Sequence, residues 1–207
     1  MKKIYSLLFF LQLVILGCSS NVIEEHRATQ KIENLRMNIF SESGEKIYSV
    51  TSPYSSFNKN KLKLQLNNTT INIFNGEKIK YIIQSDESTL SNNNKLVMLK
   101  GNVKLKTLKQ DDDMLMADNF IWNLEDTNYL LEGNIKFENN NIILNSSKAK
   151  LDSDNIIEFF NPVKYTFKSN NNENKYEINS ENAYYNIKTG SVSFKAKDNR
   201  IRSIIYF

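Results

Sequence analysis

Cys18 is the only cysteine of the 207-residue chain, and its surroundings point to thioether lipidation, the alternative being an uncleaved signal-anchor with an incidental cysteine. Met1-Lys2-Lys3 is a basic start, residues 7–16 are an apolar run, and Ile15-Leu16-Gly17-Cys18 brings a small residue up against the thiol, as in a lipobox. Residues 1–17 then read as a signal peptide. Cys18 becomes the first residue of the mature protein and anchors it to a membrane through its own lipid. The apolar run is shorter than the roughly twenty residues of a membrane span. A lone cysteine also excludes an intramolecular disulfide.

No other group carries a reaction. The one histidine, His26, lies in a polar, mixed-charge stretch that reads as a tether over residues 18–34, with a helical turn near 23–32. Asp111-Asp112-Asp113 lacks the alternating ligands and the glycine of a calcium loop, so it reads as a solvated turn. The chain has no glycine-rich phosphate loop, no nucleophile elbow and no metal-spaced His or Cys cluster. The expectation is a non-enzymatic protein without cofactor or metal. Removing Lys2 and Lys3 lowers the formal charge from +4 to +2, a balance that does not call for nucleic acid.

What remains is a repeated scaffold. Leu96-Val97-Met98-Leu99-Lys100-Gly101-Asn102-Val103-Lys104-Leu105 and Leu130-Leu131-Glu132-Gly133-Asn134-Ile135-Lys136-Phe137 alternate apolar and polar residues around a central Gly-Asn pair. Such a period of two marks a half-buried strand. A second pattern accompanies it: an apolar residue, one gap, a small residue, two gaps, another residue, then a Leu or aromatic and a turn former. Its small residues, Ser52, Ser85, Ala117, Ser146 and Ser180, are spaced by 33, 32, 29 and 34 positions. Units of that length cannot bury an apolar face alone and must stack on their neighbours.

From Leu35 onward the chain is a succession of short strands. Asn75-Gly76 is the strongest hairpin signal, and the asparagine runs at 139–141 and 170–172 read as turns. Pro162 cannot donate to a ladder and marks an edge or bulge. Lys61, Lys63, Lys104, Lys106, Lys195 and Lys197 read as solvated strand faces. Residues 35–207 thus form one all-β domain of about ten to fourteen antiparallel strands: a sandwich, an open barrel or a jelly roll.

The ordered set of the lipobox, Ile-Glu-Asn-Leu-Arg (32–36), Ser-Gly-Glu-Lys-Ile-Tyr (43–48), Leu-x-Gly-Asn-Val (99–103) and Ala-Asp-x-x-x-Trp (117–122) resembles the LptC family over residues 32–207. That is the periplasmic component of lipopolysaccharide export; the repeats also resemble LptA/OstA-type domains. The resemblance implies a twisted antiparallel β-jellyroll that receives lipopolysaccharide from an LptB–LptF–LptG-like inner-membrane transporter. It would pass the lipid to an LptA-like jellyroll joined by edge strands. The chain departs from the common family form in its lipidated cysteine and its length. An inner-membrane anchor follows the family; Ser19 after the cysteine leaves the outer membrane open.

Under that resemblance Leu99, Val103, Phe120, Trp122, Leu131, Ile135, Phe159 and Tyr165 are the expected interior lining. The apolar, breaker-free ending with Ile201, Ile204 and Tyr206, or the first strand near 35–40, is the expected partner edge. The competing expectation is an envelope scaffold with a filled core and no lipid cargo.

Overall fold

The structure, a computed structural model, describes residues 29–91, 93–108, 113–125, 129–160, 162–167, 175–196 and 201–206. Cys18, His26, Asp111, Asp112, the 170–172 turn and Lys197 lie outside the described residues.

Eight long strands come first: β1 (Thr29–Phe40), β2 (Lys46–Asn58), β3 (Lys63–Asn75), β4 (Lys78–Ser91), β5 (Leu96–Thr107), β6 (Met114–Asn123), β7 (Tyr129–Glu138) and β8 (Ile142–Leu151). Six short ones follow: β9 (Ile156–Phe160), β10 (Val163–Phe167), β11 (Lys175–Ser180), β12 (Asn182–Asn186), β13 (Ser191–Lys195) and β14 (Arg202–Tyr206). All pair antiparallel in one sheet that does not close. β1 begins at Thr29, six residues before the expected boundary at Leu35, because its ladder with β2 runs on from Leu35↔Ser52 to Thr29↔Asn58. The β3–β4 hairpin also differs by one place. Asn75 pairs with Lys78, so Gly76-Glu77 is the two-residue loop.

The repeat signature is the signature of a bend. In β5 and β7 the Gly-Asn pairs are bulges. Gly101 and Asn102 take φ of 75° and 44°, and Gly133 and Asn134 take 77° and 44°. The ladders slip by one residue there against both neighbours. A bulge of this kind bends the strand and increases its twist. The preceding strand supplies a carboxylate that fills the space a side chain at the glycine would need. Asn102 Nδ2 donates to Asp86 Oδ2 at 2.7 Å, and Asn134 Nδ2 donates to Asp118 Oδ2 at 2.7 Å.

On the even strands the bend appears as a slip in the inward phase. Inward positions 48, 50 and 52 are followed by 55; 83 and 85 by 88; 115 and 117 by 120. The residue at the corner must be small, and the hydroxyls turn back onto the backbone. Ser52, Ser146 and Ser180 donate to the carbonyls of Tyr54, Lys148 and Asn182, at 2.7, 2.9 and 3.1 Å. Both prolines of the chain, Pro53 and Pro162, stand beside such corners.

The bends fold the sheet onto itself. β2 and β6 are four places apart, so a flat sheet would separate them by about 19 Å. Yet the Tyr48 and Trp122 ring centroids are 5.3 Å apart. One layer therefore holds β2, β4, β6 and β8 up to their corners, with the paired halves of the odd strands. The other layer holds the remaining halves. At β8 the two layers part company. Its first half pairs with β10, which leads to β11 and β14; its second half pairs with β9, which leads to β12 and β13. The expected choice among sandwich, barrel and jelly roll resolves as an open sheet doubled over in the manner of a β-jellyroll.

Candidate functional site

The eight expected lining residues all face the space between the layers, and each is buried. Leu99, Phe120, Leu131 and Phe159 belong to one cross-strand row. The register runs Leu99↔Phe120↔Leu131↔Ala149↔Phe159↔Ala183↔Phe194 across seven strands of one layer. Trp122 stands in the adjacent row, beside Val97 and Tyr129. Val103 and Ile135 lie just past the two bulges and Tyr165 on β10, all in the opposite layer. The alternation of large rings with Ala149 and Ala183 lets the facing layer's side chains enter between them.

Five contacts between rings close that space. Tyr48 meets Trp122, Tyr81 meets Tyr129 at 6.0 Å, Phe137 meets Tyr185 at 4.3 Å and Phe159 at 6.2 Å, and Tyr165 meets Phe194 at 5.2 Å. Each pairs residues of opposite layers. In this state the middle of the roll is packed like an ordinary core. At its ends the packing thins. Ile32, Leu35, Met37 and Ile39 on β1, and Val192 and Phe194 on β13, face inward but are only partly buried.

Sequence reasoning missed the tyrosines. Tyr48, Tyr81 and Tyr185 occupy buried inward positions, and each hydroxyl reaches the rim opposite the bends. Tyr48 donates to the Asn94 carbonyl at 2.7 Å, and Tyr81 donates to Asn155 Oδ1 at 3.0 Å. Tyr185 donates to Asp113 Oδ2 at 2.9 Å, and Asn139 Nδ2 also donates to Asp113, at 3.1 Å. Burial pushes all three phenols well above their ordinary range, and Asp113 adds to the effect at Tyr185. Burial also pushes the Tyr129 phenol up to about 12. These hydroxyls therefore stay protonated donors at neutral pH. The available signal was a phenol at a core position, which needs a partner at its polar end. Asp113 corrects the reading of 111–113 as solvated throughout. It is 2% exposed, because it immediately precedes β6 at the rim and the Tyr185 hydroxyl satisfies it.

The expected edges are open in the described residues. β1 pairs only with β2, β14 only with β11, and β13 only with β12. Ile201 and Ile204 are each 45% exposed, and Tyr206 continues the same strand in register with Lys175. Phe40, at the end of β1, is also exposed. Lys61, Lys63, Lys104, Lys106 and Lys195 are exposed as expected. No group of three or more His, Cys, Asp or Glu converges among the described residues.

The family described as "Lipopolysaccharide-assembly, LptC-related" matches residues 6–155, which carry β1–β8 and stop one residue before β9. No curated protein sequence matches the chain. A doubled, open, all-antiparallel sheet with an apolar interior agrees with a match covering most of the sequence, and the chain belongs to the LptC-related lipopolysaccharide-assembly family, which places it in lipopolysaccharide transport at the cell envelope.

Proposed function

We propose that this protein is a non-enzymatic carrier that accepts the acyl chains of lipopolysaccharide between its two layers and hands them to a neighbouring jellyroll. The observation that carries this reading is the apolar interior running unbroken from β2 to β12, with half-buried apolar residues at either end. Transfer of apolar surface out of water is worth roughly 0.8 kcal/mol per CH₂. An acyl chain admitted to this interior is therefore held strongly without any charged contact. Residues 1–17 serve as a signal peptide and Cys18 carries the lipid anchor. Residues 18–28 tether the β-domain to the inner membrane, beside an LptB–LptF–LptG-like transporter.

The test is photocrosslinking in cells. A photoreactive phenylalanine replaces Phe120, Leu131 or Phe159 in the full chain, and the purified protein is probed for covalently attached lipopolysaccharide. Adducts at these positions and none at the outward Lys104 are the expected result. A clean negative at all three, in cells whose export continues, overturns the carrier reading. The packed contacts between rings would then favour a scaffold lipoprotein with a filled core.

Partner capture follows from the open edges, since exposed strands recruit strands. The variant Ile204→Pro, in β14, should lose capture of an LptA-like jellyroll in a pull-down while its thermal transition moves little, because a proline on an edge strand removes a donor without entering the core. Unchanged capture would assign the contact to another edge, with β1 the next candidate.

A further inference from the structure

Ligands can reach the space between the layers by few routes. Through either layer the way is barred by continuous backbone ladders. Along the bends the strands themselves pass from layer to layer. The ends and the rim opposite the bends remain. At the rim the described turns make their backbone hydrogen bonds inside one layer. Leu124 N donates to Lys95 O and Ile187 N to Asn155 O in one, and Thr107 N to Asp113 O and Asn139 N to Ile142 O in the other. What joins layer to layer there is side chains, and the described ones are the three phenols.

The three bonds share a design. Tyr48 and Tyr81 each stand four residues before a corner serine, Ser52 or Ser85, and reach from one layer to a turn of the other. Tyr185 stands five residues after Ser180 and reaches in the opposite direction. The acceptor residues Asn94 and Asn155 hold φ of 65° and 67°, a left-handed turn that asparagine tolerates well. The bonds sit at three stations along the rim, at β2, β4 and β12. They close the layers over the rings described above.

We propose that Tyr48, Tyr81 and Tyr185 are positioning residues that latch the rim, and that the acyl chains of a lipid enter sideways between the layers when these hydroxyls release Asn94, Asn155 and Asp113. The inference rests on the carrier reading for its ligand, but the latch has a readout of its own. Three hydrogen bonds exchangeable with water are a small barrier compared with the backbone ladders on every other side. Phenylalanine at each position keeps the ring and its packing and removes only the tie.

Trp122 is the only tryptophan, 5% exposed and in contact with the Tyr48 ring, so it reports on rim opening without any lipid. The experiment compares the full-length wild type, the triple variant Tyr48→Phe/Tyr81→Phe/Tyr185→Phe and the control Tyr184→Phe. Tyr184 donates to Glu158 at 2.8 Å within one layer, so it loses a similar bond that does not cross the rim. Acrylamide quenching of Trp122 should at least double in the triple variant and stay at the wild-type value in Tyr184→Phe. The lipopolysaccharide adduct yield at a photoreactive residue in place of Leu131 should rise at least threefold in the triple variant.

Quenching that does not change, or that rises equally in Tyr184→Phe, overturns the latch. Equal adduct yields in wild type and triple variant overturn the sideways route while leaving the carrier reading in place. Increased quenching with no adduct in any form overturns the carrier reading and the entry route with it. If the triple variant loses its cooperative thermal transition, Tyr81→Phe and Asn155→Gly replace it. Each removes the same bond, one from either side, and both must raise the adduct yield; failure of either overturns the latch.

Discussion

Phe137→Ala is expected to lower folding stability by about 3–5 kcal/mol, the usual range for emptying a buried aromatic site. Phe137 is 1% exposed and touches rings of the facing layer on two sides, Tyr185 at 4.3 Å and Phe159 at 6.2 Å. Its own strand is fixed by ladders to β6 and β8, which leaves little freedom to collapse into the cavity. The loss is a large part of the roughly 5–15 kcal/mol available to a domain. Urea unfolding of the variant should show a midpoint far below that of the wild type. Lys104→Ala, on the exposed side of β5, should stay within about 0.5 kcal/mol. A Phe137→Ala midpoint close to that of Lys104→Ala would mean that the layers do not pack across this ring.

Gly133→Ala is the second large effect, expected at about 2–3 kcal/mol from a left-handed alanine plus a displaced carboxylate. The residue sits at φ +77°, and an added Cβ would lie 2.6 Å from Asp118 Oδ2 and 2.9 Å from Asp118 Cβ. The carboxylate must swing away and release Asn134, which it holds at 2.7 Å. Gly101→Ala should cost less, since its Cβ would meet Asp86 at 2.8 and 3.2 Å. Gly44→Ala supplies the dihedral contribution alone, because φ is +84° and nothing lies within 4 Å of the new atom. In an Asp118→Ala background the Gly133→Ala penalty should shrink toward the Gly44 value, a coupling that a double-mutant cycle reads directly. Equal penalties at all three glycines would remove the aspartate from the explanation of the bend.

The same positions separate what was legible in the sequence from what was not. The period of two along Leu99, Val103 and Leu105, and along Leu131, Ile135 and Phe137, assigns the inward face correctly. The five small residues near every thirtieth position mark real corners. The phase slip after each of them, from Ser85 to Ser88 and from Ala117 to Phe120, is visible in the letters, yet its meaning is geometric. It becomes a bend only once the neighbouring strand contributes a bulge in register. Asp86 and Asp118 could not be paired with Gly101 and Gly133 from sequence, because that pairing depends on the ladder between different strands.

The chain by itself determined the all-antiparallel class, the inward residues and the likeness to lipopolysaccharide-export proteins. Those follow from local preferences and alternation, which act over a few residues and are written consecutively. Only the tertiary structure decided that the sheet doubles over, that it divides at β8, and that Tyr48, Tyr81 and Tyr185 tie the rim across 46, 74 and 72 residues of sequence. Contacts of that separation are set by register and by the fold of the whole sheet. A phenol at an inward position announces that its hydroxyl needs a partner, and only the folded chain can say which turn provides it.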